Sequence, residues 1–250
     1  MESAIEKARK KFQEIIRDKN LGDNLVEVRV GTLTASEAIG NPSRQDFPLL
    51  EGREVMIEAR FRGSSGQAFT DRPNEFKGTL NDVLSLPLNS NDNRAVLDAT
   101  LNAVMTHLEL IKDTRHCRNE EPEECGVEMT KHILKTFGKV KIGQIGYQPA
   151  ILENLVMTFG ADNILCTDLN PKNIGSPKHG IAIWDGRTDT DKLIMQSDII
   201  LATSSTIVND SFDSIREKTD KYNKKLILFG VTGAGISTLL GIDRLCFQPG

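Results

Sequence analysis

At 250 residues the chain has room for one large domain or two small ones, on a norm of about 150 residues per domain. Its 38% hydrophobic and 26% charged content supports a packed core and excludes general disorder. A net charge of −4 and only 5% aromatic residues exclude an overall attraction to nucleic acid or anionic membrane, and a base-stacking surface.

Residues 1–20 are charged every few positions and lack the apolar segment of a targeting signal. The longest apolar runs, such as 199–202, fall far short of the ~20 residues that span a bilayer, so a cytoplasmic protein is expected. Residues 2–19 read as an amphipathic helix through Ile5, Ala8, Phe12, Ile15 and Ile16, stopped at residues 20–23. Alternation over 25–33, with Val26, Val28 and Val30 on one face, predicts a half-buried strand. The pattern repeats over 55–61. A turn at 63–66 leads to a third strand from 67 to 70, which makes an antiparallel meander. A short helix is expected over 77–86 and a long one over 91–111, capped by Asn91 or Asn93. Another runs over 122–137 and ends at Gly138.

From residue 139 the pattern changes. Short apolar runs at 140–145, 163–167, 181–184, 198–202, 226–229 and 244–247 alternate with helical stretches such as 150–159. Such runs imply a parallel sheet covered on both faces. The fold class expected is therefore mixed: an α+β domain over 1–112 and a Rossmann-like α/β domain over 113–250. Strands 26–33 and 55–61 should pair antiparallel in one sheet. Strands 140–145 and 198–202 should lie parallel in another.

In an open parallel sheet, ligands sit beyond the carboxyl ends of the strands. Four segments end there. Gly146 closes the first run, and Pro149 suits the first turn of the next helix, whose N–H groups can hold an anion. The dinucleotide fingerprint G-x-G-x-x-G is absent, and a tight turn that binds nothing reads equally well. Asp168 ends the second run, about 20 residues beyond Gly146, where a carboxylate accepts ribose hydroxyls or simply caps a strand. Residues 203–209 crowd hydroxyls and an amide at the end of the buried run, although Ser204 or Ser205 could serve only to cap a helix. Residues 230–238 match phosphate-loop spacing, but Ile236 stands where the lysine belongs, which excludes an ATPase. A glycine-rich loop around Gly233 allows close ligand approach.

His107, His116, Cys117, Cys125 and His132 lie near an acidic run at 120–128. All are metal-ligating types, yet no C-x-x-C or H-x-x-x-H spacing occurs, and a solvated acidic helix start explains the carboxylates. Cys117 and Cys125 should come close, as a disulfide, a shared metal site or neither. His179, in a loop near Asp168, can reach the same edge. No nucleophile–base pair stands out.

The pieces Ile145-Gly146-Tyr147-Gln148-Pro149, Ala202-Thr203-Ser204-Ser205-Thr206-Ile207-Val208-Asn209 and Gly230-Val231-Thr232-Gly233-Ala234-Gly235 occur in this order. Ahead of them stand Asp98-Ala99-Thr100-Leu101-Asn102-Ala103 and Val28-Arg29-Val30-Gly31. Together they resemble the family of putative heavy-metal chelation proteins. The resemblance implies an enolase-N-terminal-like domain followed by a Rossmann-like domain, with the site between them. Carried over by motif, it implies a ligand site at Asn102, Gly146, Tyr147, Thr206 and Asn209. The sequence departs from the family at Asn93-Arg94-Ala95 and at Val231-Thr232-Gly233.

Two functions follow. One is binding of a divalent or heavy metal ion, or a metal-containing small molecule. The other is an enzyme acting on a nucleotide-like or anionic metabolite. Both predict one cleft carrying Gly146, Tyr147, Asp168, Thr206 and Asn209, closed by the N-terminal part near Asn102. The expected partner is a small molecule or metal, with no nucleic acid and no membrane; a homo-oligomer stays open.

Overall fold

A computed structural model describes residues 2–29, 33–51 and 55–247. Helix α1 (Ala4–Asp18) starts where the Ser3 hydroxyl accepts the Glu6 N–H, and it buries Ala4, Ile5, Ala8, Phe12 and Ile16 at helical spacing. Strands β1 (Leu25–Arg29), β2 (Val55–Phe61), β3 (Ser64–Thr70) and β4 (Phe76–Thr79) form an antiparallel sheet in the order β3-β2-β1-β4. Residues 30–32 lie outside the described residues, and the alternation expected at Val26, Val28 and Val30 lies outside the described side chains.

The turn between β2 and β3 falls at Arg62 and Gly63, earlier than the Gly63–Gly66 turn expected. Both residues have positive φ, 49° and 88°, the left-handed pair that a two-residue hairpin loop requires. The segment expected as one helix over 77–86 divides. Its first residues pair with β1 as β4, and α4 (Leu80–Leu84) begins after a capping box between Thr79 and Asp82. Two short helices, α2 (Ala35–Ile39) and α3 (Pro48–Glu51), lie between β1 and β2.

Helix α5 (Asn91–His107) is buried at every position from Arg94 to Met105. Its N-cap is Ser90, not Asn91 or Asn93, and it stops before the expected residue 111 because Glu109 takes a left-handed φ of 57°. The all-round burial has a simple cause. One side of α5 packs on β2 and β3, while the other meets helices of the second sheet. At Gly66 of β3, an added Cβ would lie 2.2 Å from the Ala103 amide nitrogen, so only glycine permits this approach. The buried Arg94 guanidinium is satisfied by the Val208 carbonyl (2.6 Å), the Leu88 carbonyl (2.8 Å) and Asn91 Oδ1 (2.6 Å).

Asp98 lies in the same helix, fully buried, and neither carboxyl oxygen has a hydrogen-bond partner among the described residues. Burial pushes its pKa well above the usual carboxylate range. Above the unfolded-state pKa of 3.8 the folded chain holds a proton the unfolded chain has lost. Stability therefore falls as pH rises from there to the folded-state pKa. Asp98→Asn is expected to unfold at higher denaturant than wild type at pH 8 and to lack this slope. Parallel urea curves for the two proteins at pH 5 and pH 8 check it.

The chain then continues through α6 (Glu121–Phe137), β5 (Ile142–Ile145), α7 (Pro149–Phe159), β6 (Ile164–Asp168), β7 (Pro177–Lys178) and β8 (Ile181–Asp185). It ends with α8 (Thr190–Gln196), β9 (Ile199–Thr203), α9 (Ser205–Val208), α10 (Phe212–Lys221), β10 (Lys225–Phe229), α11 (Ala234–Leu240) and β11 (Arg244–Leu245). The seven strands run in the order β11-β10-β9-β5-β6-β8-β7, all neighbours parallel except the β7–β8 pair. The expected pairings appear, β1 with β2 antiparallel and β5 with β9 parallel.

Both faces of this sheet are covered. Ile199 and Leu201 of β9 pack with Met129, Ile133 and Leu155 of α6 and α7. Ile200 and Ala202 point the other way, into a core shared with α5, α8, α10 and the first sheet. This two-sided burial is why β9 reads as a continuous apolar run. Among the described residues no helix is long and apolar enough to cross a membrane.

Candidate functional site

Without the edge strand β7, the large sheet has the order of a dinucleotide-binding sheet: third, second, first, fourth, fifth, sixth. The order reverses between β5 and β9, so the loops leaving their carboxyl ends part and open a crevice. Gly146 follows β5 with φ 87° and sits against Thr203, whose Cγ2 would lie 2.5 Å from an added Cβ. Tyr147 N–H donates to Asp168 Oδ2 (2.7 Å), and Asn170 N–H donates to Asp168 Oδ1 (2.5 Å). The buried Gln144 amide donates to the carbonyls of Gly146 (3.0 Å) and Gln148 (3.3 Å). Gln148 Oε1 accepts the Ile151 N–H (2.6 Å), so the first turn of α7 already carries a cap of its own.

A cavity of about 510 Å³ opens above this edge. Gly146, Tyr147, Asp168 and Asn209 line it; Asn102, Thr206 and Gly233 do not. Asn209 Oδ1 accepts from the Ser211 hydroxyl (2.6 Å) and backbone amide (3.2 Å). Thr206 is buried, its hydroxyl donating to the Thr203 carbonyl (2.7 Å). Gly233 sits at the start of α11, where its carbonyl accepts the Ser237 N–H (2.9 Å). Asn102 Nδ2 donates to the carbonyls of Gln67 (3.1 Å), Val231 (3.3 Å) and Thr232 (2.8 Å), and its Oδ1 accepts the Gly235 N–H (2.8 Å). That side chain joins the first sheet, α5 and the glycine-rich loop. Ile236, in the position of a phosphate-loop lysine, is fully buried.

The N-terminal part closes the cavity with residues that the sequence did not single out: Phe47, Leu49, Phe69 and Asp71. Arg44 forms ion pairs with Glu123 and Glu153, which tie the loop carrying Phe47 to α6 and α7. Asp46, on the same loop, accepts from the Tyr147 hydroxyl (3.1 Å). Burial, followed by the Asp46 carboxylate, pushes the Tyr147 phenol upward. Arg187 also lines the cavity, with Nη1 on the Leu169 carbonyl (3.2 Å). Most of these residues lie in loops, where no periodicity marks them. Burial raises the Asp168 pKa against the hydrogen bonds of Asn170, Tyr147 and Asn173, which lower it. His179 lies outside the lining, with Nδ1 3.8 Å from Glu153.

The five possible metal ligands of the sequence separate. His107 stands edge-on to Phe61 (5.2 Å) and His132 tilts over Phe247 (5.7 Å). His116 lines the cavity with Nδ1 on the Cys117 carbonyl (2.6 Å), and burial lowers its pKa to about 4, so it is neutral at physiological pH. Cys117 and Cys125 do come together, and Cys246, from the segment after β11, joins them. The Cys117 thiol is hydrogen-bonded to both. These contacts, with burial, push the Cys117 thiol up, while the contact from Cys117, against burial, holds Cys246 below the usual thiol range. None of the four cysteines is in a disulfide. Among the described residues no group of three His, Cys, Asp or Glu side chains could hold a metal ion.

Residues 129–241 match the model of the family DUF364, described as putative heavy-metal chelation. Two solved structures share the fold, both of proteins of unknown function from that family. The one from Pyrococcus horikoshii is 18% identical with a TM-score of 0.56, over 92% of this chain and 80% of its own. The one from Desulfitobacterium hafniense DCB-2 is 12% identical with a TM-score of 0.51, over 93% and 83%. No curated protein matches the chain.

Proposed function

We propose that this chain, whose residues 129–241 carry the signature of the DUF364 family, is a binding protein that takes up a metal-containing small molecule in the cavity above β5 and β9. The observation that carries this reading is the cavity itself. It lies at the sheet's switch point, and about 510 Å³ suits a compact organic ligand or metal chelate. Phe47, Phe69, Ile151 and Phe229 supply apolar side chains to its lining, and Asp71, Arg187 and Asn209 supply polar ones.

The strand order also favours a second reading, an enzyme for a nucleotide-like or anionic metabolite. Three features weigh against it. The glycine fingerprint is absent, the Asp168 oxygens accept backbone amides, and the imidazole in the lining, His116, is tied to a carbonyl.

A thermal-shift panel of metal chelates, divalent ions and nucleotides tests the two. A ligand at a hundred times its Kd stabilises the native state by about 2.7 kcal/mol, roughly 5–10 °C for a chain of this size. Metal chelates are expected to give that shift and nucleotides none. A shift from nucleotides alone establishes the second reading, and no shift from any chelate ends the first.

A further inference from the structure

We propose that residues 40–49 form a strap over the cavity, latched by Arg44, whose release admits the ligand. This deepens the preceding reading by naming a route of entry, and it rests on that reading for there being a ligand to admit.

Residues 40–47 have no helix or strand of their own and run between α2 and α3. Side chains at and around α6 and α7 hold them in place. Asn119 Oδ1 accepts the Asn41 N–H (3.1 Å), and Glu120 accepts the Ser43 amide and hydroxyl (both 2.9 Å). Arg44 then pairs with Glu123 of α6 and Glu153 of α7. Asp46 completes the row by accepting from the Tyr147 hydroxyl (3.1 Å).

The underside of the strap is apolar. Phe47 and Leu49, only 2% and 7% exposed, line the cavity and pack with Ala38, Ile39, Met56, Ala150 and Val231. This small cluster is separate from the two larger cores. Lifting the strap therefore opens a satellite cluster and leaves both cores packed, which confines the opening to one segment.

The latch itself is polar and water reaches it. The side chains of Arg44, Glu123 and Glu153 are 18%, 29% and 34% exposed, so salt screens their attraction. Asp46 Oδ1 lies 3.4 Å from Arg44 Nη1, which places one cation among three carboxylates. Without Arg44, the strap presents Asp46 to Glu123 and Glu153, and like charges repel.

Thiol labelling of the full chain with the disulfide reagent DTNB, read site by site through peptide masses, tests the strap. Cys117 and Cys125 line the cavity, each 8% exposed, whereas Cys166 is fully buried in β6 and outside the lining. The first two report opening of the strap, and the third reports global unfolding. Where opening and closing outpace labelling, the rate follows the open population. Arg44→Gln is expected to speed labelling of Cys117 and Cys125 by at least about tenfold, with Cys166 unchanged, and Glu153→Gln to speed it in the same direction. Added sodium chloride should speed it in wild type and hardly at all in Arg44→Gln. Lys131→Gln, which breaks an exposed pair with Glu128 elsewhere on α6, should change nothing. Glu153→Gln keeps the test decisive if Arg44→Gln fails to fold. Equal rates in wild type and both variants overturn the strap. A rise at Cys166 in step with the others also overturns it, because the opening is then global. Labelling needs no ligand, so failure here with the chelate shift intact removes only the strap. Loss of the chelate shift with the labelling pattern intact removes only the chelate reading.

Discussion

Asn102→Leu is expected to cost about 3–5 kcal/mol of folding stability, the range for breaking a buried hydrogen-bond network. The change removes one donor group and one acceptor that together bond Gln67, Val231, Thr232 and Gly235. Leucine replaces none of these bonds, and the Gly235 N–H and the carbonyls stay buried. For a chain of this size the thermal midpoint should fall by roughly 6–20 °C. Calorimetry on wild type, Asn102→Leu and the partly exposed control Thr106→Val measures it. A midpoint within a degree or two of wild type would show that the junction between the two sheets does not depend on this side chain. Asn102 thus acts on the cavity from behind: it holds β3 and the glycine-rich loop, from which Phe69 and Val231 line the cavity wall.

Asp168→Asn is expected to cost about 1–3 kcal/mol, the range for leaving a buried backbone donor unsatisfied, and to abolish the ligand-induced thermal shift. The carboxylate accepts Tyr147 N–H on one oxygen and Asn170 N–H on the other. An asparagine would turn an NH2 group toward one of these amides. The turn that places Tyr147 against the cavity would then loosen, and its hydroxyl contact with Asp46 with it. Urea unfolding and the chelate panel, run on the same preparation, separate the two effects. Full stability combined with a full ligand shift would remove Asp168 from both roles. From sequence, Asp168 reads equally as an acceptor for ligand hydroxyls or as a cap at a strand end; in the fold its oxygens accept the Tyr147 and Asn170 backbone amides, so stability and ligand response change together.

The parallel sheet was legible because its strands are buried on both faces, and two-sided burial leaves a continuous apolar run such as 199–202. Alternation marked the strand at 55–61, but its burial is not one-sided: Met56 and Glu58 are buried along with Ile57, Ala59 and Phe61, only Arg60 is exposed, and Glu58 is bonded to Gln67. Boundaries were less legible. Whether residues 77–79 join a helix or a strand depends on β1 being alongside, which no local pattern records. The end of α5 depended on a left-handed residue, Glu109, of a type that carries no such signal.

At the candidate site the sequence by itself determined the edge of the sheet, because Gly146, Asp168 and Asn209 each follow an apolar run, and chain direction places such residues at the strands' carboxyl ends. Tertiary structure decided the rest. Asn102 and Thr206 turned their polar atoms to buried backbone groups, since a buried polar atom must find a partner wherever the packing offers one. Phe47, Phe69 and Arg187 reached the cavity from loops and a strand distant in sequence, and Cys246 met Cys117 across more than half of the chain. Those meetings depend on how the antiparallel sheet docks through α5 onto the parallel one, a long-range packing event that no spacing of residues along the chain encodes.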